Sequence, residues 1–347
     1  MTGLRSLLRP AVDAGHRAVD FGSIAGGLYR YHRSGIGSPE ARLHMLNLHC
    51  ASNGRVTDGI ATLLRRMRPP RQPAPATGVL GEISVAEQEA IVRQIARDGY
   101  YVFERRLSSD DCDEIERFAA ATPCLVEGKS ADPSDRVILD PAAPISKTYR
   151  LVEQDIVRNP PMQRLMADPS LLAVAERYLA MHPSLVSIHL WWSPVFGDQP
   201  GSAAAQEFHF DFDPPPVWLL IFVYLTDVGP ENGPHVYVRG SHKAGHPAAD
   251  RLLKRGYVRI SDEDIAGAFG AENVVELPGQ RGTILAVDTR GFHKGKMPTK
   301  GCRLMAQLTY ASPLFVTGGP PVPLPAALEP ELATAIATNP DVYGHFR

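Results

Sequence analysis

Lysine is absent from the first 71 residues, cysteine is sparse throughout, and no apolar run is long. Each lack removes a class of protein. The four cysteines, Cys50, Cys112, Cys124 and Cys302, stand far apart with no C-x-x-C pair. That spacing fits free thiols in a reducing cytoplasm better than a zinc knuckle or a disulfide framework. The longest unbroken apolar run, Val217 to Leu225, falls far short of the ~20 residues that a membrane-spanning helix needs. Arg5 and Arg9 near the start precede no apolar stretch of signal-peptide length, so the expectation is a cytoplasmic protein without a transmembrane segment. Positive charge is not in excess either: the net charge of −2 gives no reason to expect nucleic acid as a partner. What is present, 44% hydrophobic and 21% charged residues over 347 positions, is the balance of a globular protein large enough for a sizeable β core.

Charge is unevenly spread. Residues 1–68 form a basic, Arg-rich N-terminal extension, with Asp13, Asp20, Glu40 and Asp58 as its only acids. Such a segment suits docking on its own domain, on a partner or on an anionic surface, and the acidic remainder of the chain favours the first. Residues 69–79 are a Pro-rich linker, Pro69-Pro70-Arg71-Gln72-Pro73-Ala74-Pro75, which predicts an extended spacer. Residues 80–315 are expected to form the main domain and 316–347 a C-terminal extension. Ser84 and Glu87 make a capping box ahead of one helix, Ser108 and Asp111 open another, and Asp168-Pro169 a third. From about residue 185 the chain turns to strands: Val186–Trp192, Val217–Thr226, His235–Val238, Thr283–Val287 and Leu304–Tyr310. Strands without alternating helices predict an antiparallel sandwich or barrel with flanking helices, mainly β.

The chemistry concentrates in Glu207-Phe208-His209-Phe210-Asp211. Residues two apart on an extended chain point the same way, so His209 and Asp211 can reach one metal ion. His293, just after the Thr283–Val287 strand, is the best third ligand. Two imidazoles and one carboxylate on one face of an octahedron leave open positions, which suits iron(II). Other residues compete. Asp213 shares the face of His209 and Asp211, while His235, His242 and His246 cluster after the Asn232-Gly233 turn and imitate a metal site. Arg303 follows His293 by ten positions. A buried guanidinium needs a partner, and its fork matches a carboxylate. The partner is either an acidic side chain or a carboxylate-bearing cosubstrate.

Taken in order, His209-Phe210-Asp211, Leu225-Thr226-Asp227-Val228, Glu231-Asn232-Gly233-Pro234, Gly240-Ser241-His242-Lys243, His293 and Arg303 resemble the phytanoyl-CoA dioxygenase family of iron(II)/2-oxoglutarate-dependent oxygenases. Gly99–Phe103 and Leu107–Cys112 are similar to that family's opening strand and helix. The likeness spans roughly residues 80–315. It implies a double-stranded β-helix, a cupin-like jelly roll, with Fe(II) held by His209, Asp211 and His293. It further implies 2-oxoglutarate and O2 as cosubstrates, Arg303 on the distal carboxylate, and hydroxylation with release of succinate and CO2. Thr283 is a candidate for a second hydroxyl contact to that carboxylate. Related halogenases carry a small residue at the carboxylate position, so Asp211 favours hydroxylation. Arg239 stands where the family usually has proline, Thr283 where it usually has aspartate, and Pro214, Pro215 and Pro216 stiffen the chain beside the motif.

The substrate is a small molecule of open class: a coenzyme A thioester, a free acid or a secondary metabolite. Trp191, Trp192 and Trp218 are candidates for an apolar pocket wall or ordinary core, and Lys147 and Arg239 for an anionic contact. Two other readings stand beside the hydroxylase. One is a cupin-like hydrolase or isomerase using zinc or another divalent ion at the same ligands. The other is a non-catalytic binding protein recruited through its basic N-terminal segment.

Overall fold

The structure, a computed structural model, describes residues 20–27, 29, 30, 33, 39–126, 135–197, 207–212, 217–312 and 321–347. Residues 20–27 are helical, and two further helices follow, α1 (Pro39–Ser52) and α2 (Arg55–Met67). The end of the proline linker is not the plain spacer expected: Ala76–Gly78 (β1) pairs with Gly81–Ile83 (β2) as a short hairpin. Prolines stop at Pro75, so the backbone donors from there on are free to pair. The Ser84 capping box then opens α3 (Val85–Asp98), with both reciprocal hydrogen bonds made. Next come β3 (Tyr100–Arg106), α4 (Ser109–Ala121), β4 (Leu125–Val126), β5 (Tyr149–Arg150), α5 (Glu153–Ile156), α6 (Pro160–Ala167) and α7 (Pro169–Leu179). Ser108 and Asp168 cap α4 and α7 as their sequence positions predict.

The C-terminal half is built from β6 (Ser184–Pro194), β7 (Trp218–Tyr224), β8 (His235–Val238), β9 (Val274–Leu277), β10 (Thr283–Val287), β11 (His293–Gly295) and β12 (Cys302–Ala311). It also holds helices that strand patterning missed, α8 (Pro247–Leu253) and α9 (Asp262–Phe269), between β8 and β9. Their signals are local: His246 and Ser261 cap them, followed by Pro247 and by the acidic Asp262-Glu263-Asp264 turn. A last helix, α10 (Pro330–Thr338), packs on α6.

Two antiparallel sheets result. The larger runs β3-β10-β7-β12-β6-β5-β4 and the smaller β11-β8-β9. The chain alternates between them, β7 large, β8 and β9 small, β10 large, β11 small, β12 large, and this winding is that of a double-stranded β-helix. The sheets do not close into a barrel. Along β6 the alternation is plain. Ile188, Leu190 and Trp192 are buried, and Trp192 donates to the Ala119 carbonyl of α4 at 3.3 Å. Ser187, His189 and Trp191 on the other face are only half-buried. One face of the large sheet is therefore covered by helices and the other looks into the space between the sheets.

Candidate metal centre

The ligand segment gets its direction from its phenylalanines. Phe208, Phe210 and Phe212 are at most 2% exposed, so the residues between them, His209 and Asp211, must face the opposite way. His209 and His293 sit directly opposite each other and exchange both backbone hydrogen bonds, at 3.0 and 2.8 Å. That pairing puts their side chains on one face, with ring centroids 4.4 Å apart. Asp211 N–H donates to the Thr289 carbonyl at 2.7 Å, which fixes the third side chain against the same loop. One ligand atom from each of His209, Asp211 and His293 lies within 4.8 Å of the others. Among the described residues this is the only such cluster of three.

The histidine orientations are set by hydrogen bonds behind the rings. His209 Nδ1 meets the Glu207 carbonyl at 3.2 Å and His293 Nδ1 the Gly291 carbonyl at 2.9 Å. A carbonyl only accepts, so each Nδ1 carries the proton and each Nε2 keeps its lone pair. Those nitrogens lie 3.8 and 3.5 Å from the Asp211 oxygens. Neighbouring ligands with bonds near ~2.1 Å to one metal stand about 3 Å apart, so only a small inward movement closes the set on an ion. Burial first, then the neighbouring His293 and Arg259, pulls the His209 pKa down to about 2, so its imidazole is neutral and able to ligate.

A second polar feature lies between the sheets. Arg303 is 6% exposed. It donates from Nη1 to the Gly233 carbonyl and from Nη2 to Ser193 Oγ at 3.3 Å, its partner across β6 and β12. Its Nε has no hydrogen-bond partner, and among the described residues no carboxylate pairs with it. Burial pushes its pKa down for that reason. Of the two partners open to Arg303 in the sequence, the acidic side chain is not there. Thr283 is buried on β10 and packs against Gly279, and no hydrogen bond joins it to Arg303.

The other candidates scatter. His242 meets the Ala96 carbonyl at 3.2 Å, and His246 caps α8. Arg239 turns toward Tyr100 and Asp98, at 3.5 and 3.9 Å, so its guanidinium is engaged away from the cluster. Trp218 is core, donating to Thr289 Oγ1 at 2.8 Å, while Trp191 lies edge-on to Phe222 at 6.4 Å on the inner face. Asp213 and Pro214 to Pro216 lie outside the described residues. The four cysteines are free, and burial raises their pKa values to about 11 for Cys50 and Cys112 and about 12 for Cys124 and Cys302. None is a thiolate nucleophile near neutral pH.

Two parts of the site escaped sequence reasoning. Asp288, fully buried, accepts from Tyr178 Oη at 2.6 Å and from Arg290 Nη2 at 2.6 Å, and this clamp stiffens the loop that delivers His293. The spacing Asp288-Thr289-Arg290 was its one available signal. His235, set aside as a decoy, stacks on His293 with centroids 5.3 Å apart. No sequence pattern reveals that contact, because it joins two strands of the small sheet.

The family model for phytanoyl-CoA dioxygenase (PhyH) matches residues 95–302. No curated protein matches the chain. Similar solved structures include the carbocyclase SnoK from nogalamycin biosynthesis, at 18% identity and TM-score 0.46 over 65% of this chain and 83% of that one. EctD from S. alaskensis is 23% identical, at TM-score 0.44 over 71% and 84%. HygX from Streptomyces hygroscopicus, with nickel and 2-oxoglutarate bound, is 16% identical, at TM-score 0.41 over 65% and 86%.

Proposed function

This chain belongs to the phytanoyl-CoA dioxygenase family, and on that premise we propose an iron(II)- and 2-oxoglutarate-dependent dioxygenase that hydroxylates an unactivated C–H bond of a small organic or acyl substrate. O2 and 2-oxoglutarate are consumed, one oxygen atom enters the substrate, and succinate and CO2 leave. His209, Asp211 and His293 would hold the iron. When bound, the iron supplies a redox centre that couples decarboxylation of the 2-oxo acid to C–H oxidation. The protein's own part is positioning. The Nδ1 contacts of His209 and His293 keep both Nε2 atoms turned to one point, and the Asp288 clamp holds the His293 loop. Trp191 and Phe222 offer an apolar wall on the inner face for the carbon skeleton of the substrate.

The observation that carries the reading is Arg303: a buried guanidinium with no carboxylate partner among the described residues, close to His235, whose ring stacks on His293. A permanent cation buried this way is costly until an anion arrives, and a dicarboxylate anchored at the metal brings one. Anaerobic addition of 2-oxoglutarate to the iron-loaded protein should produce a weak visible charge-transfer band, and air should then yield succinate. Asp211→Ala should lose both. A wild-type protein that shows no band and makes no succinate sinks the assignment. Metabolite profiling for a mass gain of one oxygen then names the substrate.

A further inference from the structure

His235 lies between the metal cluster and Arg303, and no hydrogen bond among the described residues joins its ring to either. On one side its ring stacks on His293, 5.3 Å between centroids and 22° between planes. On the other side, Arg303 Nη1 donates to the carbonyl of Gly233, two residues before His235. The β8–β11 register pairs His235 with Gly295, and a Cβ on Gly295 would come 3.8 Å from Arg303 Nη2. Gly295 thus stands beside both His235 and Arg303.

His235 is 4% exposed, and its Nε2 has no hydrogen-bond partner among the described residues. Arg303 Nε is a second buried orphan. A position meant only for packing has no use for an imidazole, since a leucine would fill it with no polar atom to satisfy. A fourth metal ligand is the first alternative. The metal-type cluster among the described residues holds only His209, Asp211 and His293. A ring stacked face to face on His293 also sends its in-plane nitrogens alongside, and not toward, the point that His293 Nε2 addresses. Two buried polar groups without partners, one of them a permanent cation, together suit an anion with several acceptor sites.

We infer that His235 Nε2–H donates a hydrogen bond to the carboxylate of 2-oxoglutarate that Arg303 grips, so that the two residues form one clamp. The inference rests on the function proposed above, and it makes His235 a specificity residue for the cosubstrate. Nickel-loaded protein, which binds without turning over, is titrated with 2-oxoglutarate by calorimetry. His235→Leu should weaken binding about tenfold, the size of effect one hydrogen bond to a charged group carries, with nickel affinity unchanged. His235→Gln, whose amide nitrogen reaches much the same place, should recover most of the loss. His235→Met replaces the leucine variant if that one does not fold. Wild-type affinity in the apolar variant, or a glutamine variant as weak as the apolar one, overturns the clamp and leaves the proposed function standing. Failure of the wild-type protein to bind 2-oxoglutarate at all overturns both.

Discussion

Arg303 and the two metal-side histidines are oriented by backbone carbonyls. Glu207 and Gly291 hold the Nδ1 atoms, and Gly233 holds one arm of the guanidinium. These groups are thereby aimed by the main chain, which cannot rotate away as a side chain can. Arg303→Leu should accordingly leave iron binding intact and raise the 2-oxoglutarate requirement by about tenfold or more, the cost of losing a charged hydrogen-bonding partner. Succinate release measured against 2-oxoglutarate concentration checks this, and an unchanged requirement would remove Arg303 from cosubstrate binding. Arg303→Lys should rescue only in part, because an ammonium keeps the charge without the planar fork.

At the scale of elements, α1 is tied to the ligand segment from behind. His49 of α1 stacks on Phe210 at 5.4 Å and contacts Phe212 at 4.9 Å, while it hydrogen-bonds Thr57 of α2 at 3.0 Å. Burial first, then the Arg290 charge, drives its pKa down to about 3 from an ordinary 6.5. In the unfolded chain the same imidazole takes a proton near 6.5, so below that pH the unfolded state binds more protons than the native one. The stability His49 contributes is fully present above pH 6.5 and is lost as pH falls from there toward 3. Denaturant unfolding of the wild-type protein between pH 7 and 4 should show this loss, and His49→Gln should flatten the slope while lowering stability at pH 7. An unaltered slope in the variant would mean that another group sets the acid limit.

Across the whole molecule, the N-terminal helices bury apolar side chains in the common core. Met45, Leu48, Ala61 and Leu64 are at most 2% exposed. Polar ties add to them: Asp58 pairs with Arg290 at 3.1 Å, and Asn53 Nδ2 donates to the His246 carbonyl at 2.9 Å. Removing residues 1–67 should therefore cost roughly 5 kcal/mol or more, from about 1.5–3 kcal/mol for each large apolar side chain that loses its cover. It should also weaken iron binding, since it uncovers the rear of Phe210 and Phe212. Chemical unfolding and an iron titration of the truncated chain test the two effects together. Full stability and affinity in that chain would make the segment an appendage available for other partners. Among the described residues no helix is long and apolar enough to cross a membrane.

That His209, Asp211 and His293 come together was legible in the sequence in two steps: a period of two places His209 and Asp211 on one face, and the resemblance to a known family singled out His293 among the competing histidines. Helix starts at Ser84, Ser108 and Asp168 were legible for the same kind of reason: capping is a transaction between residues three apart. What joins distant segments was not legible. The Arg303 guanidinium could have met an acid or a ligand, and only the packing of β6 against β12 shows Ser193 and the Gly233 carbonyl around it with no acid among the described residues. The same holds for His235 beside His293, for His49 behind Phe210, and for Asp288 gripped by Tyr178 from α7. Each depends on strand register and helix placement across dozens of residues. Local pattern sets which way a side chain faces, while the fold alone decides what stands opposite it.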